Sequence, residues 1–532
     1  MAIIGILALL TVPRFMGQTQ KAELVRIQHD VKAMEKEIGA KLINKDDEFN
    51  KWENNSKDLN QLVQDKELFE NKGVAKELEP TGETYKIVPK EYKDKINTKL
   101  KGTFYANSGG KVYYENGKMP GDSDEETKDT INPDDAKWVE KGNWGTNGKW
   151  VVDKDGNAVI YAIDASKPIV FHKMADENAK LPKATLTTLT FKDKVQGDTN
   201  SSMESAFTDS FTNLKTINNL DTNVDTSNVT SMSDMFAYSE LPSVGDLSKW
   251  NTSNVTNMNA MFYNSKLTSV GDLSQWNTSN VTNMGGMFNS SQLTSVGDLS
   301  QWDTSNVTDM GTMFAYSKLT SIGDLSKWDT SNVTDMGWMF RESKLTSVGD
   351  LSQWDTSNVK YMADMFYNSK LTSVGDLGQW NTSNVTDMSW MFGWSKLTSV
   401  DLSQWDTSNV ISMSYMFYAS QLTSVGDLSQ WNTSNVTNMD SMFANSQLTS
   451  VGDLGQWNTS NVTDVRFMFS QSQLTSVDLS KWDTSNVTNM GDMFSESNLT
   501  SVGDLSQWDT SKVTNMTDMF YGSPLTPPAW YH

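Results

Sequence analysis

The residues that most often carry enzyme chemistry are scarce in this chain. Its three histidines, His29, His172 and His532, share no spacing with carboxylates that would form a metal site or a general base. Cysteine is absent, which excludes thiolate ligands, thiol nucleophiles and disulfides. The sequence also has no glycine-rich phosphate loop and no nucleophile motif. We therefore expect no enzymatic activity, no catalytic or metal-binding residues and no cofactor.

One acidic residue recurs at nearly constant spacing through the second part of the chain. Carboxylates stacked at the spacing of neighbouring strands, about 4.8 Å, repel each other, so backbone donors or cations must compensate. Calcium would suit such oxygen ligands. Aspartate also commonly accepts hydrogen bonds from turn amides, and we favour this second interpretation. The column comprises Asp246, Asp272, Asp298, Asp324, Asp350, Asp376, Asp401, Asp427, Asp453, Asp478 and Asp504.

Aromatic residues occur at positions that other repeats fill with small or charged residues. The residue before each "MF" is Asp234, Ala260, Gly286, Thr312, Trp338, Asp364, Trp390, Tyr415, Ser441, Phe467, Asp492 or Asp518. A buried position would not accept such different volumes and polarities, so we expect this one to be exposed. The residue two places after the phenylalanine is equally mixed. Exposed aromatics often anchor interfaces, and the candidate ligand-binding residues are Trp338, Trp390, Trp394, Tyr415 and Phe467. Neutral drift in an exposed loop would give the same pattern.

These positions are set by an internal repeat. The tryptophans that mark it are 26 residues apart, except for two steps of 25 where "SVGDL" has become "SVDL" before Trp405 and Trp482. A residue that can be dropped without disturbing the rest of the repeat lies in a turn, which is a natural place for glycine. The markers are Trp250, Trp276, Trp302, Trp328, Trp354, Trp380, Trp405, Trp431, Trp457, Trp482 and Trp508.

The spacing of apolar residues within one repeat predicts a coil. In "LTSVGDLSQWDTSNVTDMGTMFAYSK" the apolar positions fit neither a single helix nor a single strand. One such unit cannot bury its apolar side alone, so neighbours must stack. We expect Trp, Met and Phe inside, with Thr, Ser and Asn of "TSNV" aligned between coils where they satisfy backbone groups. The period lies in the range of leucine-rich repeats. The prediction is a β-solenoid over residues 203–532, with about 12 units of 25–26 residues and end caps.

The repeated phrase, as in "DTSNVTDMGWMF" at 329–340, resembles the repeats of BspA-like bacterial surface leucine-rich repeat proteins over about residues 203–526. The resemblance implies a cell-surface protein that adheres to host matrix or to other cells. Its partner would be an unknown protein or carbohydrate ligand on that target. The aromatic residues at the variable positions place the candidate ligand-binding face along repeats five to ten. Two alternatives remain open, a purely structural surface stalk or filament coat, and polysaccharide or ice binding through flat Thr and Ser columns.

The first forty residues combine an apolar segment with an amphipathic one. The apolar run from Ala2 to Val12 is shorter than the roughly 20 residues that span a bilayer. Apolar residues then recur at spacings of three and four between Leu24 and Ile38, which predicts a helix. Residues expected to bury the helix in a filament are Ile3, Ile4, Ile6, Leu7, Leu9, Leu10 and Pro13.

"AIIGILALLTVPRF" and the helical segment after it resemble the amino-terminal helix of type IV pilins over residues 2–40. The resemblance implies a minor or tip subunit of an extracellular pilus, anchored in the membrane before assembly. Its partners would be other pilin subunits, bound through this helix. The family's mature chain begins upstream, with a glutamate that this sequence lacks. We therefore expect that the chain as written does not polymerise by itself.

Two hairpins come after the helical region. "GTFYANSGGKVYYENGK" and "KWVVDKDGNAVIYAID" alternate apolar and polar residues around turn-forming residues. Helix followed by antiparallel strands is also the pilin arrangement. The sequence thus predicts an α+β pilin-like unit at residues 1–170, with a long N-terminal helix and a small antiparallel sheet. A connector at 171–202 and the leucine-rich-repeat-type β-solenoid come next.

The charge is concentrated in the repeats. Residues 200–532 carry 13 Lys plus Arg against 33 Asp plus Glu, a net of −20, whereas residues 1–199 carry 31 against 33. A strongly acidic surface repels phosphate backbones. Nucleic acid is therefore excluded as a partner of the repeats.

Overall fold

The computed structural model describes residues 131–532 and the backbone of four short strands before them. The chain divides into two compact units, Met1–Thr130 and Ile131–His532. The predicted filament helix, including Ile3 to Pro13, lies outside the described residues. In the described part of the chain, no helix is both long and apolar enough to cross a membrane.

The first unit contains a four-stranded antiparallel meander in the order β1-β2-β3-β4. Its strands are β1 Leu78–Thr81, β2 Thr84–Ile87, β3 Thr103–Ala106 and β4 Val112–Glu115. Strands β3 and β4 pair around the turn-forming residues of "ANSGGK", so the first predicted hairpin is confirmed.

The second unit begins with a mixed β-structure that covers the first coil. One sheet has the order β11-β9-β7-β6-β5, and in another β10 pairs with β8, β12 and β13. The strands are β5 Trp138–Asn143, β6 Gly148–Asp153, β7 Asn157–Ala162, β8 Ile169–Lys173, β9 Thr188–Phe191, β10 Val195–Ser202, β11 Thr216–Asn218, β12 Val224–Asp225 and β13 Val229–Ser231. Two short helices complete it, α1 Met174–Asn178 and α2 Leu220–Asn223.

This mixed β-structure, which we call the N-terminal cap, changes the predicted domain limits. The structure divides the chain after residue 130 rather than 170, and residues 171–202 form packed structure rather than a connector. The second predicted hairpin, "KWVVDKDGNAVIYAID", is formed by strands β6 and β7, but it belongs to the cap. The physical reason is a continuous buried core. Trp144 contacts Phe191, Phe191 contacts Phe207, and Phe207 stacks on Phe236 of the first coil.

The predicted β-solenoid is confirmed by the hydrogen bonds between successive coils. In each coil one residue forms a parallel β-bridge with its equivalent in the next coil, as Asn257 does with Asn283. Four alternate backbone N–H groups then donate to carbonyls 25 residues further along, in one coil those of Met258, Ala260, Phe262 and Asn264, at 2.8–2.9 Å. These bonds form one short ladder between neighbouring coils. Further backbone bonds join the coils elsewhere, as from the Leu273 N–H to the Val296 carbonyl at 2.8 Å.

Two aromatic columns fill the interior. Phenylalanines of successive coils stack, as Phe340 does on Phe366 with centroids 5.9 Å apart. The marker tryptophans stack as well, and the indole Nε1 donates to a leucine carbonyl of the preceding coil, as in Trp354, which donates to Leu325 at 3.0 Å. At the C-terminus Trp530 extends this column by stacking on Trp508. The core therefore runs past the last full repeat.

Polar side chains of the repeat donate hydrogen bonds to backbone carbonyls of neighbouring coils. Thr278 Oγ1 donates to the Asp303 carbonyl in the next coil at 2.9 Å, and Asn280 Nδ2 donates to the Ser253 carbonyl in the preceding coil at 2.7 Å. Equivalent bonds recur along the array. The prediction that the "TSNV" residues satisfy backbone groups of neighbouring coils is therefore confirmed for the Thr and Asn side chains.

The aspartate column accepts hydrogen bonds from turn amides, as favoured from the sequence. Asp272 Oδ1 accepts from the Ser274 N–H at 2.9 Å. The same carboxylate packs against Gly297 of the next coil, whose φ is +86°. A Cβ at Gly297 would overlap the Asp272 carboxylate, so this turn requires glycine. In three coils the residues after the aspartate form a 3-10 helix, at Leu247–Lys249, Leu377–Gln379 and Leu454–Gln456.

We expect Trp354→Ala to destabilise its neighbourhood by about 3 to 5 kcal/mol, because the change removes a buried indole, its stack and its hydrogen bond. Hydrogen exchange should show the loss in the adjacent coils, since contacts are between nearest neighbours. Trp338→Ala, at an exposed position, is the control. Unchanged protection around Trp354→Ala would contradict the buried assignment.

Gly297→Ala should destabilise the solenoid by about 1 to 3 kcal/mol, through its positive φ and the overlap with Asp272. The matched control is Gly286→Ala. Gly286 also has a positive φ, of +63°, but it occupies a position where Ala260 occurs naturally, and its added Cβ would meet nothing closer than 3.3 Å. Thermal unfolding of both variants measures the difference, and equal losses would show that the contact with Asp272 is unimportant.

Candidate functional site

Two variable positions flank each phenylalanine of the Phe column. We call the residue before "MF" the first variable position and the residue two places after the phenylalanine the second. Residues at both positions have a positive φ in every coil, for example Trp338 at +61° and Trp394 at +54°. The methionine and phenylalanine of "MF" are buried, and the variable side chains before and after them point away from the core.

The candidate ligand-binding residues differ in their exposure. Trp338, Trp394 and Phe467 are 40%, 49% and 38% exposed, whereas Trp390 and Tyr415 are half-buried. The expectation that the first variable position is always exposed was wrong. Asp364 and Ser441 are buried there. Arg341 of the preceding coil pairs with Asp364, and the Ser441 hydroxyl donates to the Asp440 carboxylate. Exposure at this position thus depends on the neighbours.

Most of the candidate aromatics form one cluster in the middle coils. Trp390 and Tyr415 stack with centroids 4.0 Å apart and planes within 5°. Tyr418 packs edge-on against both rings and against Trp394. Tyr367 contacts the other side of Trp390, at 5.3 Å. The half-buried rings therefore support one another.

An arginine joins Trp338 to this cluster. The Arg341 guanidinium lies 4.2 Å from the centroid of Trp338 and 4.1 Å from that of Tyr367. Its Nε donates to the Tyr316 hydroxyl at 2.8 Å, and the group forms an ion pair with the buried Asp364. We define the aromatic patch as Tyr316, Trp338, Arg341, Tyr367, Trp390, Trp394, Tyr415 and Tyr418.

The candidate residues did not include four members of the aromatic patch. One is Tyr316, at the second variable position, and the other three are Arg341, Tyr367 and Tyr418. All three directly follow the phenylalanine of their coil, a position that also holds Ala, Asn, Gly or Ser in other repeats. Comparing that position between repeats would have found them. Burial raises the pKa of the Tyr367 and Tyr415 hydroxyls.

Phe467 lies apart from the aromatic patch. Among the described residues, no ring contact joins it to the patch. Its neighbour Arg466 pairs with the buried Asp440 at 2.6 Å, and the hydrogen bond from Arg466 to this carboxylate raises the pKa of the guanidinium. The described residues also contain no group of three His, Asp or Glu side chains arranged to hold a metal ion.

A family model described as "Mycoplasma protein of unknown function, DUF285" matches residues 201–318, 291–374, 369–449 and 445–525. Together these matches span more than half of the chain. The chain belongs to the DUF285 family. The matched region, 201–525, agrees to within two residues at each end with the repeat region recognised from the sequence, 203–526. The repeats are therefore the DUF285 part of the protein. A comparison with curated proteins finds no match.

Two solved structures resemble the DUF285 chain only distantly. A leucine-rich repeat protein from Eubacterium ventriosum is 16% identical, with a TM-score of 0.32, over 74% of this chain and 97% of the other. A leucine rich cell surface protein from Faecalibacterium prausnitzii is 15% identical, with a TM-score of 0.22, over 70% and 97%. Similarity this low supports no conclusion about function.

Arg341→Ala should destabilise the middle coils by about 3 kcal/mol, because it leaves the buried Asp364 carboxylate without its partner. The double variant Arg341→Ala with Asp364→Ala should recover most of this loss, since other coils carry alanine at both positions, as Ala237 and Ala260 show. Hydrogen exchange in coils five to seven, counted from the coil that contains Asp234, measures the stability of both variants. A single variant as stable as the wild type would show that the ion pair contributes little.

Proposed function

We propose that this protein is a cell-surface adhesion protein whose repeat domain contacts its target through the aromatic patch. The observation that carries the proposal is the exposure of Trp338 and Trp394 at variable positions, beside core columns that hardly vary. Large exposed aromatics in one cluster are typical of interface anchors. Under this proposal the protein binds and does not catalyse.

The fold does not require these aromatic side chains. The first variable position holds Asp, Gly or Thr in other coils, and the backbone keeps the same conformation in each of them. The large apolar surface of the aromatic patch therefore needs another explanation. Binding supplies one, because a rigid aromatic surface loses little conformational entropy when it meets a partner. Arg341, fixed between two rings and Asp364, contributes to this rigidity.

Attachment to a filament is the second part of the proposal. The resemblance of residues 2–40 to type IV pilins supports a pilus subunit, and the repeats resemble those of BspA-like surface proteins. A large repeat domain on every subunit would crowd a narrow filament, which favours a minor or tip subunit. Under this proposal the partners are other pilin subunits and a protein or carbohydrate of a target cell or matrix, at an extracellular location.

A flat ice-binding or polysaccharide-binding column is disfavoured by one observation. Exposed threonines after "NV" do align between coils, as Thr282, Thr308 and Thr334 do, and each hydroxyl donates to the preceding threonine carbonyl at 3.1 Å. Lys360 and Ile411 interrupt this column in the middle of the array. A regular hydroxyl surface would not tolerate such interruptions.

We expect Trp338→Ala with Trp394→Ala to weaken adhesion by at least about 2 kcal/mol, because exposed aromatic anchors dominate such interfaces. The measurement is attachment of the purified chain to immobilised matrix proteins and glycans, compared with thermal stability. The control is Asp492→Ala with Asp518→Ala, at the first variable position near the C-terminal end, which should leave attachment unchanged. A stable aromatic variant that attaches as well as the wild type would contradict the proposal.

A further inference from the structure

A groove of about 500 Å³ lies on the same side of the solenoid as the aromatic patch, in coils one to five. There the first variable positions hold Ala260, Gly286 and Thr312 instead of aromatics. These small side chains leave an open channel between the ring pair Tyr238 and Tyr263 and the coils beyond it. The two tyrosine rings meet edge-to-face, with centroids 5.0 Å apart.

Carboxylates and amides line this groove. Asp309 and Asp335 come together over Gly311: a Cβ added there would lie 3.0 Å from Asp335 Oδ1 and 3.2 Å from Asp309 Oδ1. Asp234 lies at the tyrosine end, and the amides of Asn259 and Asn289 complete the lining. Glycine is thus the residue that leaves the carboxylates accessible.

The groove carboxylates have hydrogen bonds but no cationic partner. Asp309 accepts from the Gly311 N–H and from Asn283 Nδ2, Asp335 accepts from the Gly337 N–H, and Asp234 accepts from the Ser233 hydroxyl. Among the described lysines and arginines, none lies within ion-pair distance of these three aspartates. Burial, and then the nearby Asp309 charge, raise the pKa of the Asp335 carboxyl. A nearby cation would stabilise the ionised Asp335 carboxylate and so oppose both effects.

The aromatic patch shows how this side of the solenoid holds a cation. There a guanidinium lies between aromatic rings, bonds to a tyrosine hydroxyl and pairs with an aspartate at the first variable position. Arg466 neutralises Asp440 on the same side. These two are the only arginines of the repeats. The groove offers the same kinds of group, tyrosine rings with aspartate carboxylates, and no arginine of its own.

We propose that the groove binds a guanidinium group supplied by a partner, namely an arginine side chain of an arginine-rich polypeptide segment. The planar guanidinium suits both carboxylate pairing and stacking on an aromatic ring. The net charge of −20 on residues 200–532 favours the approach of a basic segment. This inference goes beyond the proposed adhesion and does not depend on it.

The test uses the full chain and a hexa-arginine peptide, with binding measured by calorimetry. We expect Asp309→Asn with Asp335→Asn to weaken binding about tenfold or more, since each lost charge pair removes a charge-assisted hydrogen bond. The matched control is Asp387→Asn, in the same column two coils beyond the groove, which should bind like the wild type. Hexa-lysine should bind more weakly than hexa-arginine, because ammonium lacks the planar stacking surface.

A second variant blocks the groove without removing charge. Gly286→Trp places an indole at a position where Trp338 and Trp390 already occur with nearly the same φ, so the fold should tolerate it. It should weaken hexa-arginine binding as the charge variant does, while Trp338→Ala with Trp394→Ala should not. No binding by the wild type would overturn the proposal, and so would equal binding by the Gly286→Trp or aspartate variants, which would indicate only general attraction to an acidic protein.

Discussion

The hydrogen bonds between successive coils are the constraint on which the rest of the structure depends. In the segment whose alternate N–H groups donate to the next coil, two residues per coil have a positive φ, in addition to the turn glycine that most coils carry. This conformation costs roughly 1 to 2 kcal/mol for most residues, and for the β-branched Thr312 it is especially unfavourable. The buried methionine and phenylalanine columns, together with the hydrogen bonds, must offset that cost in every coil. The strain therefore persists only because the neighbours on both sides fix the backbone.

The same backbone pattern separates residues that fold the chain from residues that are free to vary. Of the three residues with ordinary φ between two strained ones, the first two, such as Met339 and Phe340, point inward and are fully buried, whereas the third, such as Arg341, is partly exposed. Residues with positive φ, such as Trp338, point outward, where volume is not fixed by the core. Side-chain identity there changes little in the backbone, which explains why Asp, Gly, Thr and Trp share one conformation. A solenoid of this kind can thus carry different surface chemistry on each coil without a change in its scaffold.

The sequence was sufficient for features that repeat and insufficient for features that do not. The period, the buried tryptophans, the turn glycines and the role of the aspartate column emerged from comparing copies within one chain. The N-terminal cap could not be predicted in this way, because Trp144 and Phe191 continue the Phe column but the repeated sequence motif is absent around them. Burial of Asp364 was also hidden, since it depends on Arg341, a residue in the preceding coil that is 23 positions away. The filament helix lies outside the described residues, so that prediction stays a prediction.

The placement of the two arginines divides the variable side of the solenoid into chemically different parts. In coils five to eight, Arg341 neutralises Asp364 and its faces are covered by Trp338 and Tyr367, so this part presents aromatic edges and little charge. In the groove no arginine is present, the variable positions are small, and Asp309 and Asp335 remain accessible. An elongated partner that crossed both parts would meet an acidic groove and then an aromatic surface. Selectivity would then come from the order of these parts along the array, because each coil fixes its own side chains at one step of the solenoid.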